Sequence, residues 1–439
     1  MGETAERKLG DPMPAPPELP DHADVVIVGA GPAGLMAAIE AADPNHRRSV
    51  LVLERRPFAG GQVPVAGGGR CNVTNAGSVE TLMLGFGRDG RWLEPALRRF
   101  DNVATILWFE RRGVPMKEEE GGKMFPTSDD GADVQNTLIR EAESRGARIA
   151  LRARVEQVLV EEGRIVGIVA NGKTVRTRSL VLSGGGSGPK PTPTSGVGLA
   201  ATLGHAVVPP APALAPIKLP GKPVESLAGV SLTARLSAGA AGFNTKKPRV
   251  SKVGEMLFTH FGLSGPVVLD LSHPLARLAA REPAELSLDV APEVDDARAE
   301  VDRIGREEGA RAVKNANFPG LPRRVFEHLI GIAGIAPDRR CAELRQPERE
   351  ALARAIKDWR FPQFEVTWAG AMVSGGGVAL TEVDPKTMAS RRIVGLFFAG
   401  ETLDLQGDCG GFNLQGSFST GALAGASAAA FADAAQRQE

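Results

Sequence analysis

The sequence predicts an α/β fold: a discontinuous parallel-sheet unit interrupted by a strand-rich insert and a helical segment. Three observations predict it. An apolar run, Val25 to Val28, leads through a glycine-rich turn into a helical pattern; the chain changes near Leu199 to Pro-rich and short β-prone segments; apolar strands return at Phe364 to Val378 and Ile393 to Ala399. At 439 residues the chain exceeds one typical core, so more than one structural unit is expected.

The first residues, MGETAERKLGDPMPAPPELP, are dominated by Pro and charge and contain no apolar export-signal core, so residues 1–22 are expected to form a disordered leader. The first ordered element is DVVIVGAGPAGLMAAIEAA, with Leu35 to Ala42 as helix. Between strand and helix lies GxGxxG: Gly29 suits the tight turn, Gly31 the close approach of a pyrophosphate, and Gly34 the packing of helix on strand. The helix start, with Ala33, then faces the phosphates. A second apolar run, Ser49 to Leu53, ends in Glu54, twenty residues after Gly34, where this motif places its ribose-binding acid. Strand, glycines, helix, second strand and acid in register identify a Rossmann-type nucleotide-binding unit.

From Ala153 to Ser183 the pattern alternates: ARVEQVLV, then RIVGIVANGKTVRT with Asn171-Gly172 as turn signal, then SLVLSGGG. This predicts a β-meander that returns to the nucleotide sheet at the glycine loop Ser183 to Gly186. PKPTPTSG and VPPAPALAPIKLPGKP mark a boundary, because X-Pro steps favour extended backbone. Beyond it, VSLTARLSA and AELSLDVA predict strands, whereas DDARAEVDRIGREEGARAV and QPEREALARAIKDW predict helices. The expected division is a nucleotide unit over 23–198 and 364–439, a strand-rich insert over 199–294 and 351–363, and a helical part over 295–350. The closing piece is IVGLFFAG, Glu401, and GDCGGFNLQGSFSTGALAGA, a glycine loop running into a helix of small residues.

Composition narrows the function classes. Lys plus Arg and Asp plus Glu both total 52, so no net basic field would hold nucleic acid or an anionic membrane, although KKPRVSK at Lys246 to Lys252 is a local cluster. No window approaches the roughly 20 apolar residues of a membrane span. The three cysteines, Cys71, Cys341 and Cys409, fit neither a disulfide framework nor metal spacing; a reducing cytoplasm and no metal are expected. The chain has no tyrosine, which excludes any mechanism that needs a phenol donor.

GxGxxG serves NAD and FAD alike. FAD is favoured by two distant glycine loops suited to the flavin end, AGGGRCNVTN from Ala66 to Asn75 and GLFFAGETLDLQGDCGGFNLQ. A helix starting near Phe412 would aim its positive end at the flavin pyrimidine edge. No second nucleotide fingerprint is visible, since the loop Gly184 to Pro189 puts Pro189 where the third glycine belongs. NAD(P)H is therefore expected as a transient donor visiting the flavin pocket. In AGGGRCNVTN, Gly67, Gly68 and Gly69 would let backbone amides approach a phosphate or ring edge, and Arg70 would neutralise charge.

With GAGPAG, GGGRCNVTN, FPTSDDGADV, LSGGGSGPKPTPTSGVGLA, LFTHFGLSGP and GLFFAGETLDLQGDCGGFNLQ in order, the chain resembles the BaiN/YhiN-like family of FAD-dependent oxidoreductases, some of them aminoacetone oxidase-like, over most of Asp24 to Gly425. The resemblance implies a Rossmann-type FAD domain interrupted by a β-barrel-like and a helical part. It implies that GAGPAG and Glu54 hold the ADP half, that Arg70, Cys71 and Asn72 lie near the pyrophosphate and flavin, and that Gly400, Glu401, Asn413 and Leu414 meet the flavin side. Phe412 stands where the family often has tyrosine, which makes the ring a packing element. Arg55, Gly69, Val155, Ser183, Gly184 and Gly411 complete the candidate cofactor-binding set.

Two residues are candidates for chemistry. His260, in LFTHFGLSGP, has the titration range of a general acid if the insert folds over the flavin; its alternative is a structural histidine. Cys71 is either a redox thiol or a small packed residue. The substrate pocket is expected between sheet and insert, lined by Leu257 to Pro266 and the Cys71 loop. The function expected is noncovalent-FAD oxidoreduction, NAD(P)H-linked, of a small enone or carbonyl compound. The alternatives are an FAD-dependent one-carbon transferase acting on RNA and a flavin-binding regulator without turnover.

Overall fold

The computed structural model describes residues 17–45, 48–186, 188–189 and 192–437. Its central sheet has five strands in the order Leu396–Phe398, Ser179–Leu182, Val25–Val28, Val50–Glu54, Ala147–Leu151, and every ladder is parallel. Val25–Val28 lies in the middle with all four residues buried. A strand covered on both faces needs a continuous apolar run, which is why this one does not alternate.

The first helix, Pro32–Ala41, packs against the last, Phe412–Gln436. A Cβ added at Gly421 would lie 2.3 Å from the Ala33 carbonyl oxygen, and one at Gly425 would lie 2.2 Å from that of Ala37. The small residues read in the sequence therefore let two backbones touch.

The meander is present as antiparallel strands Val155–Glu161, Arg164–Ala170 and Lys173–Arg176. Asn171 and Gly172 adopt φ of 48° and 75°, the left-handed pair that a tight hairpin requires. Of the expected leader, residues 1–16 lie outside the described residues. Residues 17–22 are not a free tail: Leu19 is buried, the Arg176 amide donates to the Asp21 carbonyl, and the Ala23 amide donates to the Arg176 carbonyl. An apolar side chain and an open strand edge hold this stretch.

The insert carries a seven-stranded antiparallel sheet whose outer strands are Trp359–Phe361 and Glu365–Val366. Only Pro362, Gln363 and Phe364 separate those two strands in the chain, so the sheet curls until its edges nearly meet. The two expected helices form at Ala297–Glu307 and Gln346–Lys357, and two more, Pro266–Ala279 and Arg323–Ile332, join them. A second apolar core, running from Ile217 to Phe361, is distinct from the core of the parallel-sheet unit. Chain leaves and returns between the two through one antiparallel pair, Val207–Ala213 with Val373–Val378. No helix among the described residues is long and apolar enough to cross a membrane.

Candidate functional site

At the carboxyl end of Val25–Val28 the three fingerprint glycines meet different constraints. Gly29 has φ of 99°, and a Cβ there would lie 2.7 Å from Ser183 O and Gly184 Cα. A Cβ at Gly34 would lie 1.8 Å from the Gly29 carbonyl oxygen, so turn and helix could not both keep their places. Gly31 meets nothing within 4 Å. Only the second glycine faces open space, and the helix that follows starts without a side-chain cap, leaving its first N–H groups for an anion.

Glu54 is buried and does more than its position implied. Its Oε2 accepts from Ala30 N at 2.9 Å and its Oε1 from Arg56 N at 2.9 Å, so the carboxylate ties the glycine turn to the second strand. Each oxygen keeps a lone pair for a ribose hydroxyl. A small open cleft lies here, lined among others by Gly29, Glu54, Arg55, Val155 and Gly184, five residues marked in the sequence. Arg55 is exposed at its rim.

The other half of the cradle comes from the chain's closing piece. The Glu401 carboxylate accepts from the backbone amides of Gly186 and Ser374, and burial pushes its pKa up to about 7. Gly400, at φ of 62°, brings that turn onto Ala33: a Cβ would lie 2.7 Å from the Ala33 Cβ. Ser183 Oγ donates to the Val28 carbonyl at 2.9 Å and so braces the strand. The final helix begins at Phe412 behind Gly411, φ of 94°, again without a side-chain cap. Asn413 braces the preceding loop, its amide pairing with Gly407 N at 2.9 Å and Gly407 O at 2.8 Å, and Leu414 packs against the main core. The Phe412 ring fills the space at Gly85, where a Cβ would lie 2.4 Å from it, which is the packing role the missing hydroxyl implied.

FAD fits this cradle. Asn72 Oδ1 and Thr402 Oγ1 are buried without a partner among the described residues, an expensive state unless a bound group supplies one. Together with the open face of Gly31 and two uncapped helix starts, they offer hydrogen bonds to a pyrophosphate, ribityl chain or ring edge.

The loop Gly67, Gly68, Gly69 takes φ of 57°, 72° and 95°, the left-handed conformations for which glycine is suited. Its neighbours depart from expectation. Arg70 donates to Glu119 at 2.8 Å, lies 3.4 Å from Asp129 and stacks over Phe125, so its charge is already met by a half-exposed ion network. Cys71 is fully buried with φ of 62°, and desolvation pushes its pKa up to about 12. Such a thiol packs and does not act as a nucleophile. Native protein treated with iodoacetamide at about pH 8 should leave Cys71 unmodified and react there only after unfolding, as read by peptide mass spectrometry; labelling at the rate of a free thiol would refute its burial.

His260 is exposed in the turn between strands Val250–Phe258 and Gly262–Ser264. The insert reaches the loop Asp404 to Cys409 from the opposite end of that strand, where Lys252 Nζ donates to Asp408 Oδ2 at 2.6 Å. At about 3.3 Å per residue, Phe258 lies roughly 20 Å further on. His260 is thus not among the residues that bond to this loop, and the observed interface there draws on other residues than Leu257 to Pro266, the stretch expected to line the substrate pocket. The interface is built by Lys252 and by Asp270, His273 and Arg277 of the helix Pro266–Ala279, facing Asp404, Asp408 and Cys409. His273 stays neutral, its pKa pushed down to about 4 by burial and then by Arg277 and Arg88.

The family model described as HI0933-like protein Rossmann domain matches residues 23–427. The chain belongs to the HI0933-like family. It is a flavoprotein oxidoreductase with FAD as cofactor, as the resemblance implied. Among HI0933-like relatives, a 3-dehydro-bile acid delta(4,6)-reductase of Clostridium scindens is 30% identical over 409 residues, 92% of this chain and 98% of that one. A ribosomal RNA dihydrouridine synthase of Escherichia coli (strain K12) is 29% identical over 405 residues, 90% of this chain and 96% of that one. Of solved structures, the open conformation of a flavocytochrome c3 fumarate reductase superposes with a TM-score of 0.50 at 18% identity, covering 94% of this chain and 79% of that one. A 3-ketosteroid-delta4-(5alpha)-dehydrogenase from Rhodococcus jostii RHA1 does so with a TM-score of 0.50 at 19% identity, covering 94% and 98%. These two likenesses concern the fold.

For this HI0933-like chain, the interface residues were missed because they come from three segments far apart in the chain: Lys252, the helix Pro266–Ala279 and the loop Asp404 to Cys409. One signal was present: Asp270, His273 and Arg277 fall at i, i+3 and i+7, one face of a helix.

Proposed function

We propose that the protein reduces a carbon–carbon double bond conjugated to a carbonyl, taking its electrons from NADH or NADPH. The observation that carries this reading is chemical. Two relatives matching nearly end to end are named for a delta(4,6) reduction of a 3-dehydro-bile acid and for making dihydrouridine, and both names describe saturation of an electron-poor C=C beside a carbonyl. The balance is one nicotinamide and one proton consumed per bond saturated, with hydride at one carbon and the proton at its neighbour.

When bound, FAD supplies the hydride relay between donor and substrate. The chain's own part is positional. The uncapped helix start at Phe412 offers N–H groups to negative charge on the cofactor's pyrimidine edge, and the insert is tied to the loop Asp404 to Cys409 by the Lys252–Asp408 ion pair. Cys409 Sγ keeps its proton, since burial and the charges of Asp270 and Asp408 raise its pKa.

A second reading, uridine in RNA as the substrate, is favoured by a further ribosomal RNA dihydrouridine synthase, of Haemophilus influenzae, 29% identical over 412 residues. It also has the exposed Lys246, Lys247 and Arg249 ahead of Lys252. Zero net charge, the basis for expecting no nucleic-acid partner, does not weigh against so local a patch. This reading involves reduction and not one-carbon transfer.

The test is anaerobic. Purified protein should bleach its flavin bands on addition of NADH or NADPH, and the bands should return on addition of a 3-oxo-delta4 steroid or, for the second reading, a ribosomal RNA transcript whose dihydrouridine is then measured by mass spectrometry. Reduced protein reoxidised by neither compound class would sink the proposal.

A further inference from the structure

The helix Pro266–Ala279 buries Val267, Val268, Leu271, Leu275 and Leu278 in the insert's core. Its opposite face lies along the loop Asp404 to Cys409. Asp270 Oδ1 accepts from the Cys409 backbone amide at 2.7 Å, and Asp270 Oδ2 accepts from Lys252 Nζ at 2.7 Å. The same Lys252 Nζ donates to Asp408 Oδ2 at 2.6 Å. Asp270 is nearly buried, its side chain 9% exposed, so this carboxylate is held where its charge needs both partners. Two helical turns on, Arg277 Nε donates to His273 Nε2 at 3.2 Å and its Nη2 lies 3.8 Å from Asp404.

The loop so gripped has little slack. The Asp408 amide donates to the Gly85 carbonyl at 2.8 Å, and a Cβ at Gly411 would lie 2.4 Å from the Thr74 carbonyl oxygen. Three residues after Cys409, the final helix starts.

We propose that Asp270 and Lys252 are positioning residues for this loop. By fixing the Cys409 amide and the Asp408 carboxylate, the insert sets the height of the Phe412 helix start against the flavin. Closure of the insert and the electronics of the cofactor are thereby coupled: an insert that lifts releases the loop that leads into the helix's positive end. This inference rests on the FAD assignment, and it assigns the insert a role beyond covering a substrate.

The experiment uses the full FAD-loaded chain and the variants Asp270→Ala and Lys252→Met. Hydrogen–deuterium exchange of peptides spanning 404–411 should rise at least about tenfold in both, while peptides of the parallel sheet stay protected. The relative affinity for oxidised and reduced flavin should change about tenfold, read as a displacement of the midpoint potential by ~30 mV for a two-electron couple. Lys252→Met, which keeps its aliphatic stem, decides the matter if Asp270→Ala does not fold. Flavin-loaded wild type alongside variants with unchanged exchange and potential would overturn this proposal alone. A wild type that binds no FAD would overturn the cofactor assignment and the proposal with it.

Discussion

Gly31→Ala should fold like the wild type yet lose FAD, whereas Gly34→Ala should lose both. The contrast follows from what each methyl group meets. At Gly31 the backbone has an ordinary φ of −79°, and an added Cβ touches no protein atom within 4 Å. The substitution is therefore neutral or slightly stabilising in flavin-free protein, because alanine has less freedom to lose on folding. Its methyl group occupies the one open face of the turn, where a pyrophosphate must come within hydrogen-bonding range of backbone amides. A loss of about 10²-fold in FAD affinity, ~3 kcal/mol, is expected. At Gly34 the Cβ would lie 1.8 Å from a backbone oxygen, so strand, turn and helix must separate. That overpacking costs about 1–3 kcal/mol or more before any ligand is considered. Calorimetric titration with FAD and thermal unfolding of the flavin-free proteins distinguish the two. A Gly31→Ala protein that holds FAD as tightly as wild type would show that the turn does not seat the pyrophosphate.

Glu401 should make flavin-free protein less stable as pH rises from about 4.5 to about 7, against the opposite contribution of neutral His273, and the difference between wild type and Glu401→Gln should isolate that loss. The Glu401 carboxyl has its pKa pushed from 4.5 up to about 7, chiefly by burial, against the opposing pull of the Gly186 and Ser374 amides. Within that window the folded chain holds a proton that the unfolded chain has released. Folding thus binds protons, stability falls as pH rises, and it levels off above pH 7, where both states are ionised. The full shift corresponds to at most about 3 kcal/mol. Urea unfolding at a series of pH values measures it directly. A profile with the same slope in Glu401→Gln as in wild type would assign the dependence elsewhere. FAD that donates a hydroxyl to this carboxylate should lessen the slope, because a donor favours the ionised form.

The nucleotide half was legible because its signals are local. The apolar run, the glycine spacing and Glu54 lie within 30 residues, and each has a backbone reason visible in the residue type. The Asn171-Gly172 turn was legible for the same cause. The helix Pro266–Ala279 was hidden by its two prolines, Pro266 and Pro274, which read as breakers. Pro266 sits at the first turn, where no intrahelical N–H is needed, and Pro274 forgoes only the bond to the Asp270 carbonyl, a local loss that packing of the apolar face offsets. Arg70 was misread because its immediate neighbours are glycines, whereas its partners Glu119 and Asp129 arrive 49 and 59 residues later. The grip of Asp270 on Cys409 spans 139 residues, and no pattern in either segment announces the other. Cys71 shows the same limit from the other side: its type permits chemistry, and only the packing around it removes the possibility.

The paired strands that carry the chain into and out of the insert have a further meaning. Ala213 and Val373 stand opposite each other in that ladder, so residues 214–372 hang from the tip of what is otherwise a hairpin. Topologically, the protein is a shorter nucleotide-binding chain with one turn replaced by a cassette. A tight turn joining Ala213 to Val373 would excise the cassette without rethreading a single strand of the parallel sheet, and a foreign cassette with adjacent termini would enter by the same door.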